Sequence, residues 1–197
     1  MSKQLLISIR PQHLYNILTG KKPLEIRKQI PLNYVGWVNC YCTLGKPYLT
    51  SFCGRLNLFD KITDNFKFAM LNGSIPCRFW FDEYDLYNPF YFENTGVKKL
   101  DYLVDGKERE KMCLEDDDIR AYGKGKDLYA MHIKKLEIFE KPKALGEFNT
   151  FSESYEQCGF AMSLKEEYMT QKERLINRGS KIVTHAPQNF MYVEVEE

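Results

Sequence analysis

A period-two alternation of apolar and polar residues returns from one end of this chain to the other, and it limits the fold more than any other feature. LLISIR at residues 5–10, PLEIRK at 23–28, WVNCYCTLG at 37–45, LYAMHIKKLEIFEKP at 128–142 and FMYVEVEE at 190–197 carry it, or the β-branched and aromatic enrichment that accompanies it. Successive strand side chains point to opposite faces, so each run assigns its residues to a side. Leu24 and Ile26 face one way, and Glu25 and Arg27 share the other. Cys40 and Cys42 share a face of the third strand, Tyr41 and Thr43 share the opposite one, and Phe79 and Phe81 oppose Trp80.

Helical spacing is sparse. Leu14, Ile17 and Leu18 after Pro11 predict a short helix that Gly20 terminates, and SLKEEYMTQKERLINRG predicts a second at 163–179 with Gly179 as its stop. Pro142 is expected to close the late strand. From about Cys53 to Asp118 the signals become irregular. A strand is expected near 77–84, then an irregular or partly helical excursion through DGKEREKMCLEDDD. Many short strands with two or three helices predict an α+β fold: a small, mixed, mostly antiparallel β-barrel with flanking helices, in one domain over residues 1–197 with a central insertion at about 54–118.

The 28 basic and 27 acidic side chains nearly cancel, so an anionic partner must be met by a local patch and not by the field of the whole protein. With 44% hydrophobic and 14% aromatic residues the composition is not that of a disordered chain. The apolar run before Arg10 is too short for a signal-peptide core or a membrane span, which leads us to expect a cytoplasmic protein with no membrane partner. In that setting the six cysteines are expected to be reduced and mostly buried. His13, His132 and His185 lie far apart with no C-x-x-C or H-x-x-x-H spacing, so neither a metal nor a cofactor is expected.

The stretch GKKPLEIRK, Gly20 to Lys28, gathers four cations around the single carboxylate of Glu25. Taken by residue type, such a cluster is most often a set of surface ion pairs worth about 0–1 kcal/mol each. Its setting says more. SIRP opens the chain, a short helix follows, GKKPLEIRK fits the pattern G-x-K-x-x-E-x-R, the strand YCT comes next, YGKGKDLYAMHIKKLEIFEKPKAL follows later, and PQNFMYVE comes last. This order resembles the ASCH domain, a branch of the PUA-like superfamily, at both ends of the chain and in its later middle; residues 53–77 match poorly.

The resemblance implies a small β-barrel with a cleft where the motif meets it. Related domains are associated with RNA or modified nucleobases, and some small members hydrolyse an acylated cytidine. In such a cleft Lys22 and Arg27 suit phosphate, and the Glu25 carboxylate suits an exocyclic amine. Arg10 at a strand end, Ser8 on its face, Tyr41 as a stacking ring with Thr43 beside it, and Gln188 as a reader of a base edge complete the candidate binding set. Each has a plainer reading: a solvated charge, a small strand residue, a core tyrosine, a backbone partner. Asp82, Glu83 and Asp85 are candidates for a second acid or base, or simply turn residues.

For catalysis the candidates are Lys22 and Glu25, but the deacylating relatives resemble G-x-K-x-x-T-x-R, with a Thr as candidate nucleophile where this chain has Glu25. A carboxylate there would attack to give a mixed anhydride or serve as general base for water. The charge set favours a binding module for RNA or a modified nucleobase, with amide or ester hydrolysis as the alternative. A third reading is a regulatory subunit that meets a protein partner through residues 54–118. The aromatic run RFWFDEYDLYNPFYF is either core, a stacking surface or a partner site.

Overall fold

The computed structural model describes residues 2–94, 97–150 and 182–195. The first half contains β1 (Ser2–Ile9), α1 (Pro11–Leu18), β2 (Leu24–Arg27), β3 (Gly36–Cys42), β4 (Tyr48–Phe52), β5 (Arg55–Phe59) and, after a 3-10 turn, β6 (Ile75–Phe81). There follow β7 (Tyr84–Tyr87), β8 (Pro89–Asn94), β9 (Val97–Tyr102), α2 (Gly106–Met112), α3 (Asp116–Gly123), β10 (Leu128–His132), β11 (Lys134–Lys143), β12 (Asn149–Thr150) and β13 (Phe190–Val195). The helix expected at 163–179 lies outside the described residues.

The alternating runs at both ends of the chain meet in one six-stranded sheet, ordered β11, β6, β3, β1, β13, β12. Only β1 and β3 run parallel; every other neighbouring pair is antiparallel. Alternation then sorts the side chains. Leu5, Ile7 and Ile9 align with Val38, Cys40 and Cys42, and with Phe79 and Phe81 they pack against Leu14, Ile17 and Leu18 of α1. Burial pushes the Cys42 thiol up to about 12, and Cys40 is raised as well. The opposite face holds Leu6, Tyr41 and Val193 against Phe148 and Val183. Cys40, Cys42, Cys53, Cys77 and Cys113 are all free thiols, with Cys53 exposed.

A second sheet has the order β2, β10, β7. It joins the first at a corner, because β6 runs on into β7 and β10 into β11. The turn is fastened by His132 N–H donating to Glu83 O at 3.0 Å and by Lys134 Nζ, 2.8 Å from both Asp82 and Glu83. Leu24, Ile26, Tyr87, Leu128 and Ala130 of this sheet bury against Tyr102, Met112 and Ile119, so β9, α2 and α3 cover one of its faces.

Three expectations are corrected. The α+β class and the antiparallel bias hold, but among the described residues the strands form separate sheets and no closed barrel. Closure would need the outer strands of the large sheet to pair, and these are β12, of two residues, and β11, whose lysines and Pro142 suit an unpaired edge. For the same reason Pro142 does not end β11, which continues to Lys143: an edge strand tolerates a missing N–H. The middle of the chain is also more regular than expected. Its hairpin β4–β5 turns through Cys53 and Gly54 with φ of +48° and +72°, the positive pair that a type I′ turn requires, but Cys-Gly lacks the usual Asn-Gly signature. Among the described residues no helix is long and apolar enough to cross a membrane.

Candidate functional site

The loop after α1 owes its path to backbone hydrogen bonds. Gly20 takes φ +72°, and the N–H groups of Lys21 and Lys22 both donate to Asn16 O, at 2.8 and 3.0 Å. The fold-back sends the Lys22 side chain inward, where only 2% of it is exposed. Its ammonium donates to the carbonyl of Met112, at the C-terminal end of α2, where the exposed carbonyl dipoles favour a cation.

Glu25 and Arg27 share a face of β2, as the alternation required. Arg27 Nη2 lies 3.1 Å from Glu25 Oε1, and Lys22 Nζ lies 3.8 Å from Glu25 Oε2. The carboxylate is thus held between two cations, with 7% of its side chain exposed. Arg27 Nη2 also donates to Ser8 O at 2.6 Å, which ties β2 to the end of β1, while its buried Nε has no protein partner. Burial lowers the pKa of Lys22 from 10.5; Glu25 opposes that shift, and Arg27 reinforces it. This is not the solvated ion-pair cluster that residue types alone suggest.

The other candidates separate. Arg10 is exposed just beyond β1 and lies within electrostatic reach of His13 and Tyr122. Ser8 spends its hydroxyl on Pro187 O at 2.7 Å, and Asn189 Nδ2 donates to Gln29 Oε1 at 2.9 Å, so the tail borders the motif. Gln188 in that tail is exposed. Tyr41 sits in the apolar layer with Leu6 and Phe148, 6% exposed, so its ring offers no face to a ligand. Thr43 lies past the end of β3, its N–H on Ile9 O at 2.9 Å. Asp82 and Glu83 are engaged by Lys134, and Asp85 lies 2.8 Å from His132 Nε2. Through Ala130, Asp85 aligns with Ile26, which places it on the sheet face opposite Glu25.

No protein-family model matches the chain, and no curated protein matches it. Among solved structures, its fold is similar to that of an ASCH protein from Zymomonas mobilis. The likeness is to ASCH structures. Over 97% of this chain and 87% of that one the identity is 13% and the TM-score 0.45. A tyrosine-to-phenylalanine mutant of the ASCH protein aligns over 98% and 91% at 12% identity and TM-score 0.49, and a serine-to-alanine mutant over 97% and 88% at 14% and 0.49.

Two residues outside the candidate set stand beside Lys22, Glu25 and Arg27. His13, in the first turn of α1, feels Glu25, Lys22, Arg10 and Arg27, and burial lowers its pKa from 6.5. Its only sequence signal was a polar position on α1 directly after the SIRP strand end. Tyr122 of α3 feels Arg27, Glu25 and Arg10, and Lys28 Nζ lies 4.8 Å from the centre of its ring. Tyr122 is 39% exposed, so it offers the aromatic face that Tyr41 does not. Its helix packs closely on β9, where a Cβ on Gly123 would collide with the Tyr102 hydroxyl. That proximity has no trace in local sequence. Among the described residues no group of three or more His, Cys, Asp or Glu could hold a metal ion.

Proposed function

We propose that the protein is a binding module for RNA or a modified nucleobase, centred on Lys22, Glu25 and Arg27. One observation carries the reading: a nearly buried carboxylate clamped by two cations, next to an unpartnered buried guanidinium N–H, with Arg10, His13 and Tyr122 around it. Structural charge pairs do not need an exposed arginine and a cation-flanked ring beside them; a ligand with a phosphate and a flat base does. In this reading Arg10 meets phosphate, Tyr122 stacks on the base, and Glu25 accepts from an exocyclic amine.

Hydrolysis of an acylated nucleoside is the second reading, and it is favoured by Lys22, whose ammonium is disfavoured by burial and stands 3.8 Å from a carboxylate that can activate water.

The test is a thermal-shift and calorimetric panel of nucleosides, nucleotides, N4-acylated cytidines and short RNAs, with each mixture chromatographed for product. Arg10→Ala and Tyr122→Ala are the informative variants, since Lys22 and Arg27 also hold the fold. Binding lost in both variants, with no product, is expected; released acid would establish the hydrolase; a panel with neither binding nor turnover would sink both readings.

A further inference from the structure

A second row of aromatic and cationic side chains runs along β6 and β11, at the edge of the large sheet, and the Glu25 site makes no use of it. Trp37 and Trp80 are opposite one another in register and meet edge to face at 5.5 Å. The Arg78 guanidinium lies 4.3 Å over the Trp37 ring and 6.0 Å from Phe139. Lys135 Nζ is 5.2 Å from the Trp80 ring, and Lys143 Nζ is 4.7 Å from Phe139. Every cation of the row is seated on a ring, and the row follows the length of β6 from Trp80 toward Ile75, where Lys143 pairs. Trp37, Trp80, Arg78, Phe139 and Lys143 are half-buried, and Lys135 is exposed.

Lysines on an edge strand ordinarily guard against edge-to-edge pairing. That explains charge on β11, but not its placement over aromatic rings belonging to β3, β6 and β11. Core packing explains Phe79 and Phe81, which point to the other face, but not two half-buried tryptophans on this one. Glu137 lies 2.8 Å from Arg78 Nε; it helps hold the guanidinium over Trp37 and neutralises part of its charge.

We propose that this face is a binding platform for single-stranded nucleic acid, with bases stacking on Trp37 and Trp80 and phosphates meeting Lys135, Arg78 and Lys143. Alternating rings and cations along a half-exposed stretch of sheet match a strand whose bases and phosphates alternate, and match neither a duplex, whose bases are hidden, nor an apolar helix. The proposal stands without the Glu25 reading, because it uses other residues on other strands.

The chain has two tryptophans, both in this row, so intrinsic tryptophan fluorescence reports on it directly. The protein is titrated at low salt with a short oligouridylate, with the matching oligodeoxythymidylate, and with a duplex. Quenching by one or both single strands and little by the duplex is expected, and the comparison says whether ribose matters. Three cations predict a log–log salt slope of about −2, and the double variant Lys135→Ala/Lys143→Ala should flatten it by about 1.4 while weakening binding at least tenfold. A mononucleotide, which suits the Glu25 site but is too short to follow the row, should quench little, and that separates this face from the Glu25 site. The proposal is overturned if neither single strand quenches, if the double variant with an unchanged unfolding midpoint binds as the parent does, or if fluorescence instead follows protein concentration, which would make the face a contact between copies.

Discussion

At the scale of single residues, the centre of the molecule is Glu25, because a carboxylate this buried must be answered by cations placed to match. Arg27→Ala removes the nearer of its two partners and should cost about 3–5 kcal/mol in denaturant unfolding, whereas exposed Arg10→Ala should stay within about 0.5 kcal/mol. Equal losses would mean that the pair is solvated after all. His13 gives a pH signature. Its folded pKa lies below 6.5, so as pH falls through that value the unfolded chain takes up a proton that the folded chain resists. Stability is therefore complete above 6.5 and declines below it, and His13→Gln should flatten melting temperature against pH in that window. An unchanged slope in the variant would assign the decline to other groups.

The shared face of Glu25 and Arg27 was legible at this scale because period two fixes it. That Lys22 points inward was not, since the turn depends on two N–H groups reaching Asn16 O.

At the scale of elements, α2 is seven residues long and owes its start to Asp105, which accepts from Glu108 N at 2.8 Å while the Glu108 side chain answers Asp105 N. Asp105→Ala should lower stability by about 1 kcal/mol. Because the last carbonyl of α2 holds Lys22, the same change should also weaken any ligand bound at Glu25, as calorimetry on the variant would register. The letters of this cap are present in DGKEREKM, but a helix of two turns is too short for periodicity to be seen, so the segment reads only as irregular or partly helical. Conversely, β6 was legible because Phe79 and Phe81 alternate with Trp80 over a full strand.

At the scale of the whole molecule, the order of exchange should follow the order of the sheet. Amides of β1, β3 and β6, paired on both sides, are expected to exchange last in deuterium, and those of the β4–β5 and β8–β9 ribbons first. Early exchange in β3 would contradict the six-stranded arrangement. Alternation announced strands and their faces, and so the α+β class; it said nothing of partners. Nothing in LYAMHIKKLEIFEKP marks Ile133 as the place where one run leaves a small sheet for a large one, since that break is made by Glu83 and Lys134 across the corner.

The hydrogen bond from Lys22 to Met112 has a further consequence for anyone who trims or transplants this protein. The excursion between the early and late strands looks like an ornament that a minimal version could lose. Yet deleting it would strip a buried ammonium of its acceptor and remove Tyr122's helix from the motif's flank. A shortened chain would need a replacement acceptor at that spot, and a motif grafted onto another scaffold without one would carry the letters GKKPLEIRK but not the charge arrangement they make here.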